Sequence, residues 1–585
     1  MGGGIDETLS PPRRVLRWRL WPTAWSVVLA VLLLGGALGP GYVLSYDMVW
    51  VPDLALRADV LGLGSALPRA VPSDAVVAVL DEVLGGMLLQ KVVLLGVLVG
   101  AGTGFAALTR HRTTAAQLVA VSVGLWNPFV VERLVLGHWP LLVGYAVIPW
   151  LVVALDDVEP HRGRLPVLVP LLLVLGSLNA SAGLATALVA LTVGGRRLGR
   201  RGTAWLVACV CCANAPWVVA GLVSPATSVS DAAGAFVFST GDEGLLAGPV
   251  AALSFGGIWN VEVVPGSRLG LAGLVGTGLV VATAVVGALR VVRGERERHL
   301  PALVACWCVG WGLAALSWAW PGSLAWLGEH LPAGGLLRDG SRLLGLTVPL
   351  VVVLVAVAVD WLVDRLTDRR AAVVVGGVLA LVPVSLMPDA AWGASGRLDA
   401  VAYPQSYADA EAAVAAAPPG DAVSLPFVSY RAPDWNEGRR VLDPLPRHLD
   451  RPTVVNDVLV VSGRALPGED PSAAAVARAL EAPTPSQRST ALRAAGVSVA
   501  VVEEIEGYPV PELAGATTVG GDLTVIELGV AEPRDAGAGR MVLMGVAWVA
   551  WLATLSSPLA RMRRAARWPG GKGRRGRNPG PSDIA

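Results

Sequence analysis

The sequence predicts an α-helical polytopic membrane protein: about twelve transmembrane helices, with an extracytoplasmic α/β domain placed before the last of them. Three observations carry this. First, 54% of the 585 residues are hydrophobic and only 16% are charged, and mean hydropathy is +0.59. A soluble globular chain is about one quarter charged. Second, apolar runs long enough to cross a bilayer recur along the chain, separated by short basic loops. Third, one long stretch near the C-terminus breaks that pattern and alternates strand-like with helix-like runs. The same composition excludes a disordered chain, a collagen and a disulfide-rich scaffold. The net charge of +1 hides an asymmetry, because of 46 basic residues only Lys91 and Lys572 are lysines. That arginine bias, with the richness in Ala, Val and Gly, points to a high-GC genome.

A bilayer core of about 30 Å takes about 20 apolar residues in a helix. Runs of this kind occupy residues 21–44, 86–108, 115–131, 139–155, 203–223, 269–289, 300–318, 343–363, 371–387 and 541–559. The stretch 165–194 is apolar throughout and too long for one crossing. It is broken near Ser177, Asn179 and Ser181, and both flanks are basic: His161, Arg162 and Arg164 before it, Arg196, Arg197, Arg200 and Arg201 after it. An even number of crossings is therefore expected, as two short helices joined by a tight turn. Both are short for a full crossing, which leaves room for local bilayer thinning or a partly re-entrant hairpin.

Twelve crossings put every basic cluster on one side. These are Arg13, Arg14, Arg17 and Arg19; Arg110 and Arg112; Arg162 and Arg164; the group at 196–201; Arg290, Arg293, Arg296 and Arg298; Arg365, Arg369 and Arg370; and the tail from Arg561 to Arg577. That side is cytoplasmic and holds both termini, in a multi-pass plasma-membrane protein. The first run starts too near its arginines, and lacks a clean small-residue cleavage site, so it reads as a retained helix. The division that follows is a basic cytoplasmic N-terminus at 1–20 and a transmembrane body of about eleven helices at 21–387. The body carries outer loops at 45–85, 224–268 and 321–342. An extracytoplasmic α/β domain follows at 388–540, then the last helix at 541–559 and a basic cytoplasmic tail at 560–585. In the α/β domain, helix-like runs occur at 405–416, 471–482 and 485–495, and strand-like runs at 422–428, 454–461, 497–502 and 523–528. Cys209, Cys211, Cys212, Cys306 and Cys308 all lie in apolar runs. They read as small helix residues, not as a disulfide or metal framework.

Polar residues at the edge of apolar spans cost free energy, which makes them the first candidates for function. Asp47 follows the first span directly, among Tyr46, Met48 and Trp50. An acid there suits a general base, or a metal ligand beside a phosphate. Asp53 and Asp59 read equally well as solvated loop acids. In Trp126-Asn127-Pro128 the proline should kink or end its helix. Glu132, Arg133 and His138 follow, where an anionic head group meets the membrane surface, and a guanidinium forks well onto phosphate. The plainer alternative is a local Glu132–Arg133 ion pair, a capping His138 and an interfacial tryptophan belt. Arg338-Asp339-Gly340-Ser341-Arg342 puts two arginines against the positive-inside bias. They want an anion such as a lipid phosphate, or they snorkel one turn apart. Gly256, Gly257, Asn260, Glu262 and Arg268 read mainly as an interfacial turn. In the outer domain, Tyr430, Arg431, Trp435 and Asn436 suit a glycan by stacking and hydrogen bonds, or else pack the domain onto the membrane part.

No Gly-rich Lys-Ser/Thr phosphate loop is present, so the chain carries no ATPase of that kind. No regular arginine ladder marks a voltage sensor. The spans hold few ionisable residues, chiefly Lys91, Asp360 and Asp364, fewer than a proton or sodium pump needs. The inner basic clusters read as topology signals and contacts to anionic membrane lipids, and no nucleic-acid partner is expected.

An acid in the first outer loop, about a dozen spans with short paired helices and a C-terminal outer α/β domain together resemble the GT-C superfamily of membrane glycosyltransferases, which use polyprenyl-phosphate sugars. The segments Tyr46-Asp47-Met48-Val49-Trp50-Val51-Pro52, Trp126-Asn127-Pro128-Phe129-Val130-Val131-Glu132-Arg133 and Gly137-His138-Trp139 are similar to those of actinobacterial multi-pass proteins often grouped with it. The resemblance implies that Asp47 is the catalytic acid that takes the acceptor's proton. It implies a lipid-phosphate and substrate site from Asp53, Glu132, Arg133, His138, Arg338, Asp339 and Arg342, and acceptor contacts from Tyr430, Arg431, Trp435 and Asn436. The superfamily often has adjacent paired acids in that loop. Here Met48 follows Asp47 and the next acid is Asp53, so no cofactor is fixed and a divalent metal stays open. The implied function is an inverting transfer of a sugar from a polyprenyl-phosphate donor to a cell-envelope glycan or glycolipid. The alternative is a non-catalytic transporter or scaffold for lipid-linked envelope glycans.

Overall fold

The computed structural model describes residues 13–156, 165–226, 231–294, 297–461, 463–532, 534 and 536–566. His161, Arg162, Arg164, Arg296, Arg567, Lys572, Arg574, Arg575 and Arg577 of the basic clusters lie outside them. The helical body runs α1 (Arg13–Leu34), α2 (Ser73–Leu84), α3 (Gly86–Leu108), α4 (Thr114–Leu125), α5 (Pro128–Val135), α6 (Trp139–Asp156), α7 (Leu168–Leu175) and α8 (Ala180–Gly194). It continues with α9 (Arg200–Val223), α10 (Ala232–Val237), α11 (Gly248–Leu253), α12 (Leu271–Val292), α13 (Leu300–Ala319), α14 (Pro321–His330), α15 (Val348–Val363) and α16 (Arg369–Leu386).

This is a multi-pass membrane protein, but the span count differs from the expected twelve. Among the described residues nine helices are long and apolar enough to cross a membrane. The count is ten when the 3₁₀ segment Gly340–Leu346 and α15, bent by 41°, form one span. The other two expected crossings are α7 and α8, of 8 and 15 residues. At 1.5 Å rise per residue neither reaches across a core of about 30 Å. Asn179 ends the run between them by accepting the Ala182 amide at 2.7 Å, an N-cap in the middle of an apolar stretch. The same device separates α4 from α5. Asn127 accepts the Val130 amide at 3.1 Å and Pro128 takes the first helical position, where its missing N–H costs nothing.

The bundle has an inside and a lipid side. Burial covers 94% of the Thr114–Val135 window but only 11% of Arg369–Leu386, so α4 and α5 are central and α16 is peripheral. Nearly every residue of α15 is buried, while α12, α16 and the last helix turn Val285, Val373 and Val549 outward. Apolar side chains facing hydrocarbon lose nothing by that exposure.

After α16 comes a mixed α/β region. It comprises α17 (Gln405–Ala416), β1 (Asp421–Leu425), β2 (Tyr430–Arg431), β3 (Val441–Leu442), α18 (Leu445–His448), β4 (Thr453–Val454), β5 (Leu459–Val461) and β6 (Arg464–Leu466). Then follow α19 (Pro471–Leu480), α20 (Pro485–Ala494), β7 (Val497–Glu503), β8 (Ala516–Gly520) and β9 (Leu523–Glu527), before the last span begins within α21 (Ala538–Ala566). The main sheet has the order β4-β1-β7-β9-β8. The first three strands are parallel and β9 runs antiparallel to β7. Alternation along β7 feeds two cores. Val499 and Val501 pack with Tyr407 and Val414 of α17, while Ala500 and Val502 pack with Val476 and Leu492 of α19 and α20. The strand-like run at 454–461 is two short strands, β4 and β5, divided by an Asn456 whose side chain holds the Phe427 carbonyl. No disulfide joins the five cysteines, all of which lie among the described residues.

Candidate functional site

The loop after α1 is pinned before its side chains are considered. Gln90 of α3 holds both the amide and the carbonyl of Val43, at 2.9 and 2.8 Å. Ser45 Oγ donates to the Val135 carbonyl at 2.7 Å, and the Asp47 amide donates to the Leu136 carbonyl at 3.1 Å. The chain therefore lies directly on the end of α5. Gly137 makes that approach feasible. Its φ is +85°, and a Cβ there would sit 2.1 Å from the Met48 nitrogen, so no side chain fits.

Asp47 lies at the centre of the cluster that results. His138 Nε2 stands 3.1 Å from Asp47 Oδ2, and the Tyr430 hydroxyl donates to Asp47 Oδ1. On the other side of the imidazole, Arg133 Nη1 lies 3.2 Å from His138 Nδ1. A guanidinium only donates, so Nδ1 is the acceptor and the ring proton sits on Nε2, pointing at Asp47. Burial, with the charges of Arg133 and Arg342, pushes His138 below its ordinary value and keeps it neutral, against the opposing pull of Asp47. For Asp47, burial alone would raise the carboxyl. The hydrogen bonds from His138 and Tyr430 and the Arg342 charge outweigh it and hold the group below its usual range. The Asp47 side chain retains 39% accessibility, so this carboxylate is ionised and reachable.

Behind it is a positively charged wall. Arg133 is 1% exposed and donates to Ser341 Oγ at 2.5 Å and Asp339 Oδ2 at 3.4 Å. Asp339 caps the 3₁₀ segment by accepting the Ser341 amide at 3.1 Å, and also takes Arg342 Nε at 3.0 Å. Burial would raise the Asp339 carboxyl, but Arg133 and Arg342 hold it at about 2. Arg338 lies 4.8 Å from the Phe238 ring. Burial first, then the neighbouring charges of Arg69 and Arg342, lower it to about 10. Among the described residues it pairs with no carboxylate. Among the described residues, Arg69, Arg133, Arg338, Arg342 and Arg447 gather here around Asp47, Asp74, Asp339 and Glu469.

Two further members of the cluster, Asp74 and Arg447, carry no signal in the sequence. Asp74, on the first turn of α2, pairs with Arg447 Nε at 3.0 Å. Both line one narrow cleft with Asp47, walled by Trp50 and Trp139. The Trp50 indole N–H is buried without a hydrogen-bond partner among the described residues. In sequence, Asp74 reads as an ordinary helix-start acid and Arg447 as a loop arginine. Only the docking of α18 against α2 brings them to the cleft.

The structure brings Asp47, Arg133, His138, Asp339, Arg342 and Tyr430 together. Arg338 is close by. Asp53 is exposed outside the cleft. Glu132 is buried on another face of α5, against Glu243, which in turn holds Arg268 at 2.6 Å. Arg431 lies wholly inside the α/β region, paired with Asp443 at 2.9 Å and Glu503 at 2.8 Å. Asn436 is buried and donates to the Leu44 and Arg439 carbonyls. Trp435 is half-buried, with its indole on Glu503 at 3.0 Å. No group of three or more His, Cys, Asp or Glu among the described residues is placed to hold a metal. Asp47 accepts from His138 and Tyr430, and Asp74 pairs with Arg447.

No family model matches the sequence, and no curated protein matches it. The fold is similar to that of solved structures of the mycobacterial arabinofuranosyltransferase AftD. One matches with a TM-score of 0.54 and 18% identity, over 89% of this chain and 40% of that one. An arginine-to-serine mutant of AftD, in two classes, gives TM-scores of 0.53 and 0.51 at 16% identity. The chain spans about two fifths of the length of that protein.

Proposed function

We propose that the chain is a GT-C-type inverting glycosyltransferase, moving a sugar from a polyprenyl-phosphate donor to a cell-envelope glycan or glycolipid at the extracytoplasmic face. The observation that carries the reading is Asp47: an ionised, accessible carboxylate oriented by a neutral His138 and set before a wall of arginines. The likeness in fold to an arabinofuranosyltransferase supports the class and makes an arabinofuranosyl donor the first to test.

In this reading Asp47 accepts the proton of the acceptor hydroxyl as that oxygen attacks the anomeric carbon. A new carbon–oxygen bond forms on one face while the bond to the phosphate oxygen breaks on the other. The leaving polyprenyl phosphate keeps the electron pair. Arg342 and Arg338 meet the charge that develops, the term such a site most needs. Arg133 and Asp339 hold His138 and Arg342 in place. Asp74, Arg447, Trp50 and Trp139 line the route by which a sugar hydroxyl reaches Asp47. The α/β region, from residue 388 to 540, covers that route. The arginines sorted by side support this orientation, with both termini cytoplasmic.

The test is complementation of a deletion strain with wild type and with Asp47→Asn, read by envelope glycan and glycolipid profiling. The wild-type gene restores the missing glycan and the variant does not. Full rescue by Asp47→Asn would remove Asp47 as a base and favour a non-catalytic carrier or scaffold.

A further inference from the structure

The α/β region contains a feature that glycan contact does not explain. Arg431 has no exposed side-chain surface, yet it bonds Glu503, Asp443 and Ser424 together. This knot sits at the carboxyl ends of parallel strands β1 and β7. From β1 the chain crosses to β4 on one side, and β7 lies on the other. In open parallel sheets that divergence makes the crevice where ligands bind. Here the chain's own guanidinium fills it.

The neighbouring residue gives the filling a purpose. Successive strand residues point to opposite faces, so with Arg431 inside, Tyr430 projects outward, and its hydroxyl meets Asp47. The β2–β3 ribbon then joins the loop that bears Asp47. The Tyr46 amide donates to the Arg440 carbonyl, and the Leu442 amide donates to the Tyr46 carbonyl, both at 2.8 Å. Ser429 ties the start of the ribbon to the Asn456 and Val458 carbonyls at 2.6 Å. Tyr46 accepts a φ of +47° in making this junction, a conformation that costs a non-glycine residue and persists where its surroundings impose it.

We propose that the α/β region is part of the reaction centre: the Arg431–Asp443–Glu503 knot positions Tyr430, and Tyr430 orients the Asp47 carboxylate through its hydroxyl. The inference rests on the reading of Asp47 as the base and assigns that base a regulator from the other half of the fold. The groups facing Asp47 are His138 from the α5–α6 turn, Arg342 from the segment before α15, Asp74 from α2, Arg447 from α18 and Tyr430 from β2. Tyr430 is the one hydroxyl donor among them. Its loss shifts Asp47 towards the protonated form. His138 and Arg342 remain and keep the shift moderate.

Dicyclohexylcarbodiimide attacks protonated carboxyl groups, so its labelling of Asp47 in the purified full chain in lipid nanodiscs reports protonation without any substrate. Labelling is read by peptide mass spectrometry across a pH series. With Tyr430→Phe the labelling profile is expected to move up by about one pH unit, or about tenfold more label at a fixed pH on its alkaline limb. Asp443→Asn loosens the knot without touching Asp47 and is expected to move it in the same direction by less. Hydrogen exchange at the Tyr46 and Leu442 amides shows whether the ribbon has loosened. A Tyr430→Phe profile that overlays the wild type overturns the inference. So does an Asp443→Asn protein with a loosened ribbon and an unchanged profile. Because no transfer is measured, a shifted profile together with full envelope rescue by Asp47→Asn would sink the glycosyltransferase reading and leave this coupling standing.

Discussion

Replacing Asp339 by asparagine removes one negative charge from between Arg133 and Arg342 at nearly constant volume. Asp339 is 2% exposed, lies 3.0 Å from Arg342 and 3.4 Å from Arg133, and has its carboxyl held at about 2 against an ordinary 3.8. At about 1.4 kcal/mol per pH unit, that difference corresponds to about 2 kcal/mol of stabilisation. The substitution also strands the buried Arg133, and breaking a buried pair from one side typically costs ~3–5 kcal/mol. The folded carboxyl value lies below the unfolded one. Its contribution is therefore complete above about pH 4 and is lost as the pH falls from there towards about 2. The assay is thermal unfolding of the purified chain in nanodiscs near pH 7 and again near pH 3. Asp339→Asn should lower Tm by several degrees near neutrality, and the gap should narrow in acid. Equal Tm values near neutrality, or a gap that does not change with pH, would show that Asp339 is not held ionised by Arg133 and Arg342.

Three further outcomes follow from the same geometry. Gly137→Ala forces a Cβ onto the Met48 nitrogen at a φ that disfavours it, so a loss of ~1–3 kcal/mol in stability and of envelope complementation is expected; wild-type behaviour in both would show that the loop is not pinned there. His138→Phe removes a donor from the Asp47 carboxylate, which raises the Asp47 carboxyl. The acid limb of the transfer pH profile should move to higher pH, while His138→Gln, which keeps an N–H donor, restores part of it; an acid limb that stays put would count against the His138 contact. Arg338→Gln should raise the donor KM about tenfold, the loss of one charge-assisted contact, with Tm unchanged; a donor KM equal to wild type would remove Arg338 from the phosphate site.

Much of this was legible in the sequence, for identifiable reasons. Long spans announce themselves because the bilayer demands apolar length. The polar residues at their ends stand out because they are costly there, and Asp47, Arg133, His138, Asp339 and Arg342 meet in space. The short pair α7 and α8 was legible as well, because Ser177, Asn179 and Ser181 interrupt a long apolar run between basic flanks; the count of twelve overstated only their reach, since at 8 and 15 residues neither crosses the bilayer core. Glu132 illustrates a finer limit. It adjoins Arg133 in sequence, but one residue along a helix is a turn of about 100°, and it faces Glu243 instead of the site. Arg431 and Tyr430 are similarly adjacent and opposite, on a strand whose two faces no local pattern distinguishes. Asp74 and Arg447 stand 373 positions apart, and only the docking of the α/β region on the helical body pairs them.

The most direct test of the central claim is sugar transfer by the purified chain in nanodiscs from a polyprenyl-phosphate sugar, beginning with arabinofuranose, to an envelope-glycan acceptor. Wild type should form the new glycosidic bond, and Asp47→Asn, folded to the same Tm, should be slower by about a hundredfold or more. Transfer by Asp47→Asn at the wild-type rate would show that Asp47 is not the base.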